Sequence, residues 1–267
     1  MISIGVLTPH ATVGPEEELP AMAPGQITIR IARVRAKAAG AVTAAEPPTT
    51  PLGLRPLTTP QVLDEAVEAL MAESVDVIGY ASTSSAYVIG FDEEVAMLAR
   101  LSRRTQAPVV GTCASAVRAL RRLGIGRIAL VHPPWFDEEL NELGAAYFRD
   151  QGLQVVMSMS AELAPDPARI EPAAVLDWAS RRVPDDADAV FVGGNGFRAA
   201  PAIDALERAS GRPVLESNQV LLWGILAQTG VGLPIRGYGR LLAWTWATRP
   251  RFGLLAGSQV AVARVTK

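Results

Sequence analysis

VDVIGYASTSSAYVIG, residues 75–90, joins a short apolar run to a string of small and hydroxyl-bearing residues. Val75 to Tyr80 reads as a strand buried on both faces, since a sheet covered on both sides leaves no solvent face on which to alternate. Ala81 to Ala86 then carries Ser82, Thr83, Ser84 and Ser85. A buried strand that ends this way hands the chain to a helix, whose first backbone N–H groups are unpaired and lie at the positive end of its dipole. Two readings stay open at this point. One is an N-cap with a polar turn; the other is a seat where four hydroxyls and several N–H donors collect a carboxylate or phosphate.

Working outward, buried strands are expected at Ile2 to Leu7, Pro108 to Gly111 and Ala189 to Val192, and further strands at Arg127 to Val131, Gln154 to Met157 and Pro213 to Glu216. Gln26 to Arg35 alternates Ile27, Ile29 and Ile31 with Thr28, Arg30 and Ala32, which predicts a strand exposed on one side. Pro60 to Glu73 places Val62, Leu63, Ala66, Val67, Leu70 and Met71 at helical spacing. Further helices are expected at about Phe91 to Gln106, Ala114 to Leu123, Phe136 to Gln151, Ala173 to Arg182, from the glycine turn to Ser210, and Gln219 to Gln228, with a short acidic helix after Pro15. Ala36 to Thr59, rich in Ala, Pro and Thr without periodicity, reads as a mobile loop or lid. Strands that alternate with helices predict parallel βαβ units, with ligands at the carboxyl ends of the strands.

The 267 residues, 49% of them hydrophobic, suffice for one large or two small α/β domains. A net charge of −2 gives no reason to expect nucleic acid or an anionic membrane as partner. The single cysteine, Cys113, excludes an internal disulfide and a multi-cysteine zinc site, and two histidines, His10 and His132, argue against a His-rich metal centre. No apolar run reaches a membrane span and no basic segment precedes ISIGVL, so a soluble, cytoplasmic protein is expected.

After Leu123 the pattern begins again. The strand ending at His132-Pro133-Pro134-Trp135 resembles the first strand, which ends at Thr8-Pro9-His10. Two similar halves are therefore expected, with residues 1–117 plus 225–267 forming one lobe and 118–224 the other. Their strand ends would face across a cleft, pairing His10 with His132 and Ser82 with Gly194.

TPHATVGPEEELPAM, STSSAY, GTCASAVRALRRLGIGRIAL, PPWFDEELN, DAVFVGGNGF, GRPVLESNQVLLWG and GYGRLL occur in this order between residues 8 and 242. In these segments the chain resembles the aspartate/glutamate racemase superfamily, in its maleate cis-trans isomerase and arylmalonate decarboxylase branch. The resemblance implies two flavodoxin-like parallel-sheet lobes related by a pseudo-twofold axis, an active-site cleft between them, no cofactor, and a small carboxylate as substrate. It places the two family cysteines at Ser82 and Gly194, so both thiols are missing here. It places a substrate carboxylate on Ser82, Thr83 and Ser84, with Asn195 and Gly196 as a second seat. The family's asparagine after the first strand falls at Thr12, and its tyrosine after the second lobe's first strand falls at Trp135.

A serine hydroxyl is a far weaker acid than a thiol and needs a base to act as nucleophile. Proton transfer by His10 or His132 would fill the gap, since imidazole titrates near neutrality. Cys113 sits where a strand feeds a helix start, a place that lowers a thiol pKa; the alternative is a small buried residue behind the cleft. Arg198 either pairs with a carboxylate or is an exposed arginine at a helix start. Tyr87 and Trp135 either wall an apolar pocket or pack in the core. GGNG lacks the Lys-Ser/Thr of a phosphate loop. The expected activity is isomerisation, racemisation or decarboxylation alpha to a carboxylate. The alternatives are a binding protein without turnover and a hydrolase or lyase using Ser82 as nucleophile. The apolar tail, residues 243–267, predicts packing on the body or on a second copy, hence a homo-oligomer.

Overall fold

A computed structural model describes residues 1–9, 13–35, 50–72 and 74–243. His10, Thr12, most of the expected lid (residues 36–49) and the tail from residue 244 lie outside the described residues. Eight strands form two four-stranded sheets, both parallel throughout. The first has the order β2-β1-β3-β4, from β1 (Ile2–Thr8), β2 (Ile27–Arg33), β3 (Val77–Tyr80) and β4 (Val109–Gly111). The second has the order β6-β5-β7-β8, from β5 (Arg127–His132), β6 (Gln154–Ser160), β7 (Ala189–Val192) and β8 (Val214–Glu216). Every residue of β3 and β7 is buried, as their unbroken apolar runs require. Edge strands β2 and β6 are partly exposed, in keeping with the alternation in β2.

The helices are α1 (Pro15–Met22), α2 (Pro51–Leu54), α3 (Pro60–Met71), α4 (Thr83–Thr105), α5 (Thr112–Arg122), α6 (Glu138–Arg149), α7 (Pro172–Arg182), α8 (Ile203–Ser210), α9 (Ser217–Thr229) and α10 (Gly239–Ala243). Three boundaries depart from the sequence reading. Helix begins at Thr83 rather than Phe91, because Ser82 caps it; Gly90, at φ +79°, then kinks α4 in two. Residues 50–58, expected as loop, form α2 and a 3-10 turn over Arg55–Thr58. Residues 199–202 are not α-helical; a 3-10 turn over Ala200–Ala202 precedes α8.

The two halves repeat their hydrogen bonds atom for atom. Ala81 N donates to Leu7 O and Gly193 N to Val131 O, each at 2.8 Å. Val34 N donates to Thr8 O at 2.9 Å, as Ala161 N does to His132 O at 2.8 Å. Asp76 Oδ2 accepts from Ser3 N and Asp188 Oδ2 from Arg127 N, both at 2.8 Å. Thr112 Oγ1 donates to Tyr80 O and Ser217 Oγ to Val192 O, both at 3.2 Å. These relations make Ser82 the counterpart of Gly194 and Cys113 that of Asn218. They also correct one pairing: the counterpart of His132 is Thr8, and His10 falls two residues further on. Helices α5 and α9, themselves counterparts, pack together, with Gly224 so close to Ser115 that a Cβ there would lie 2.2 Å from its Oγ. Helix α9 reaches β3 and β4 of the first sheet, so the halves interlock.

Candidate active site

The carboxyl ends of β3 and β7 meet between the halves. Ser82, extended at φ −156°, places its Oγ 3.2 Å from Ser85 N as the N-cap of α4. That Oγ also donates to Ser85 Oγ at 2.9 Å and lies 3.5 Å from Ser84 Oγ. Both readings of this stretch therefore describe the same atoms: the N-cap exists, and it gathers the hydroxyls. Thr83 turns to the other half, its Oγ1 accepting from Gly194 N at 3.0 Å. Ser82 to Ser85 are all buried.

Gly194 sits at φ +93°, and a Cβ would come within 2.7 Å of Pro133 Cγ. A side chain would be strained in this left-handed, crowded backbone, which glycine adopts without cost. Asn195, fully buried, donates from Nδ2 to Asn218 Oδ1 at 2.8 Å and to Thr112 Oγ1 at 3.2 Å. Gly196 lies beside Gly14 of the β1–α1 loop, where a Cβ would meet Asn195 O at 2.2 Å and Gly196 Cα at 3.2 Å. Trp135 is half-buried on the β5–α6 loop and meets Phe197 edge-on at 6.1 Å. Ser82, Thr83, Ser84, Gly194, Asn195 and Gly196 are thus brought together at one junction.

His132 and Arg198 stand differently from expectation, whereas Cys113 and Tyr87 take the buried alternative of their two readings. His132 is fully buried, stacked on Phe136 at 5.6 Å and edge-on to Tyr87 at 5.5 Å. Ser158 Oγ donates to Asn141 O at 2.8 Å, so His132 Nε2 must be the donor in its 3.1 Å contact with Ser158 Oγ. Its bare Nδ1 has no hydrogen-bond partner among the described residues, and burial pushes its pKa down to about 3. It is a neutral core imidazole, not paired with Ser82, whose side-chain partners among the described residues are Ser84 and Ser85. Cys113 is buried with Sγ 3.9 Å from Thr83 O. Burial, reinforced by the nearby Glu94, holds its pKa well above the ordinary thiol value, so desolvation outweighs the helix dipole and no reactive thiolate forms. Arg198 begins no helix: at φ +55° it donates from Nη1 to Glu17 and from Nη2 to Pro167 O, both at 2.9 Å. Tyr87 packs in the core against His132, Tyr147 and Phe148.

Sequence reading missed the buried carboxyls. Glu18 accepts from Asn218 Nδ2 at 2.6 Å and from Ala200 N at 2.9 Å, and burial pushes its pKa up to about 7. Glu94, also raised to about 7 by burial, accepts from Tyr147 Oη. Glu216 caps α9 through Asn218 N and Gln219 N, and is raised by burial and by Glu18. The signal was present: Pro15, Glu18, Leu19 and Met22, and again Glu94, Met97, Leu98 and Leu101, hold the i, i+3, i+4, i+7 spacing of an inward stripe.

Among the described residues no helix is long and apolar enough to cross a membrane, and no group of three or more His, Cys, Asp and Glu is placed to hold a metal ion. The residues gathered at the junction, Ser82 to Ser84 and Gly194 to Gly196, carry no charged side chain, and the buried carboxyl of Glu18 reaches them through Asn218.

Known proteins share this fold. The fold is shared with a maleate cis-trans isomerase of Nocardia farcinica, solved as a cysteine-to-serine variant with a covalently bound succinylcysteine intermediate: TM-score 0.79, 24% identity, 91% of this chain and 98% of that one. A crystal structure of arylmalonate decarboxylase superposes with TM-score 0.75 at 22% identity, over 90% of this chain and 98% of that one. Arylmalonate decarboxylase of Bordetella bronchiseptica is 26% identical over 195 residues, 68% of this chain and 80% of its own length. The arylmalonate decarboxylase family model matches residues 56–242, from the turn after α2 to the last described helix, and the chain belongs to that family.

Proposed function

We propose that this protein is a cofactor-independent enzyme that decarboxylates a small malonate-type dicarboxylic acid at the β3/β7 junction without a thiol. The observation that carries the reading is the contact of Thr83 Oγ1 with Gly194 N at 3.0 Å, which brings the two equivalent strand ends to one uncharged, donor-rich point. When the C–C bond to one carboxylate breaks and CO₂ leaves, the electron pair moves onto the retained carboxyl as an enediolate. Preorganised neutral donors stabilise such charge where it develops. Ser82, Thr83 and Ser84, with the first N–H groups of α4, supply them on one side, and the Asn195–Gly196 backbone, held in place by the Gly194–Thr83 bond, supplies them on the other. A proton then returns to the alpha carbon.

Thiol addition of the kind captured in the Nocardia isomerase has no counterpart here, because Cys113 is buried, and two-base racemisation lacks its second base. We assign the returning proton to His10. His132 carries no proton on its free nitrogen and stays neutral down to about pH 3. The buried state of His132 also favours the second reading, a carboxylate-binding protein without turnover. Incubating the protein with maleate, aspartate and phenylmalonate in deuterated water, followed by proton NMR, tests both. Loss of CO₂ with deuterium at the alpha carbon, abolished in His10→Ala, is the expected result; binding by calorimetry without any turnover would establish the second reading.

A further inference from the structure

A buried polar chain crosses the interface beside the junction and ends on Glu18. This carboxyl belongs to α1 of the first half, is 6% exposed, and among the described residues accepts from Asn218 and Ala200 of the second half. Its Oε2 receives Asn218 Nδ2 at 2.6 Å, and the same Nδ2 donates to Asn195 O at 2.9 Å. Asn218 Oδ1 takes Asn195 Nδ2 at 2.8 Å, and the Asn218 backbone N–H is held by Glu216 Oε2 at 2.8 Å. Asn195 is therefore gripped at both backbone and side chain by Asn218, whose amide is oriented by Glu18. A planar amide with its donor side fixed by a carboxylate cannot flip without leaving a buried group unpaired. The residue before Asn195 is Gly194, whose N–H meets Thr83. At the other end of the carboxyl, Ala200 N donates to Oε1 at 2.9 Å, so Glu18 fixes the β7–α8 loop on both sides of its glycine turn.

We propose that Glu18 is a positioning residue: through Asn218 it holds the Gly194–Asn195 backbone against Thr83, and so sets the affinity of the junction for a carboxylate. The affinity half of this statement rests on the function proposed above; the positional half does not. Ionised Glu18 accepts from Asn218 and Ala200 together, whereas the protonated carboxyl must turn one oxygen into a donor and gives up one of these bonds. The groups facing it are Glu17 and Arg198, themselves ion-paired at 2.9 Å, with Glu216 and Tyr238. Burial nonetheless pushes its pKa up to about 7, so the closed loop holds the proton more tightly than an opened one and loop order falls as pH rises through neutrality.

Glu18→Gln keeps the volume and the oxygen toward Ala200 but sets an amide N–H₂ against Asn218 Nδ2; Glu18→Ala removes both acceptors. Amide hydrogen exchange on the full-length protein, corrected for intrinsic rates, should show the amides of residues 194–197 exchanging about tenfold faster in Glu18→Gln, as expected for one lost charge-assisted bond, with β5 and β7 unchanged. Wild-type protection of this loop should fall between pH 6 and 8.5, and that fall should vanish in Glu18→Gln. For a carboxylate that turns over, KM should increase about tenfold in Glu18→Gln while kcat stays within about twofold. Unaltered loop exchange in both variants, or a pH dependence that survives Glu18→Gln, would overturn the proposal. Loosened loop exchange in a protein that binds no carboxylate would uphold the positional role and reject the functional reading instead.

Discussion

Gly194 N–H donates to Thr83 Oγ1 across 3.0 Å, tying the first residues beyond one central strand to those beyond its pseudo-twofold counterpart. This bond joins parts of the chain 111 residues apart, and neither partner is exposed. Thr83→Val keeps the shape and removes the acceptor, leaving a buried N–H unpaired at a cost of about 1–3 kcal/mol. A fall in kcat/KM of about tenfold or more, with a melting temperature several degrees lower, is expected from steady-state kinetics and thermal melts; unchanged kinetics would mean that the contact is incidental.

The two thiol positions should respond unequally to cysteine. Ser82 has extended backbone that any residue adopts, so Ser82→Cys should fold with a loss of about 1 kcal/mol for its cap. Gly194→Cys must hold φ +93° and push a Cβ to within 2.7 Å of Pro133 Cγ, which should cost about 2 kcal/mol or more. Urea unfolding of the two variants checks this order; equal stability would show that the β7–α8 loop rearranges freely.

Stability should depend on pH with two opposing signs. Glu94 and Glu18, raised from 4.5 to about 7, bind protons more tightly folded than unfolded, so their contribution is complete below about pH 4.5 and is lost as pH rises through 7. His132, lowered from 6.5 to about 3, contributes above pH 6.5 and loses that contribution as pH falls toward 3. With two glutamates set against one histidine, the contributions cancel and unfolding free energy should peak at about pH 4.5. In Glu94→Gln the decline from pH 5 to 8.5 should shrink by roughly 3 kcal/mol, the linkage value of that pKa difference. A slope identical to wild type in urea titrations would place the alkaline sensitivity elsewhere.

His132 should act on stability and not on the pH profile of the reaction. Ser158→Ala removes the acceptor for its Nε2–H and should destabilise by about 1–2 kcal/mol while leaving the acid limb of kcat/KM where it is in wild type. A displaced limb would return His132 to the list of proton carriers.

Much of this was legible before any coordinates. The apolar runs at residues 75–80 and 189–192 marked the central strands, and hydroxyls and glycines marked their ends, because burial on both faces and helix starts leave local signatures. What was not legible depends on contacts between distant segments. A helix start alone could not decide between an acidic and a buried, inert Cys113; dehydration and Glu94, which raise its pKa, decide for the second. Similar local sequence paired His132 with His10, whereas the ladder pairs it with Thr8. Glu18 fell within a short acidic helix start and was not singled out, although the spacing of Pro15, Leu19 and Met22 placed it on the inward stripe.

The central claim is carbon-acid chemistry at the β3/β7 junction without a cysteine, and it is tested most directly by comparing wild type with Cys113→Ala on phenylmalonate in deuterated water. The account predicts CO₂ release and phenylacetate with one alpha deuterium at the same rate in both proteins, with no inhibition by iodoacetamide. Product formation that disappears in a correctly folded Cys113→Ala variant would contradict it, because the only thiol of the chain would then be the acid.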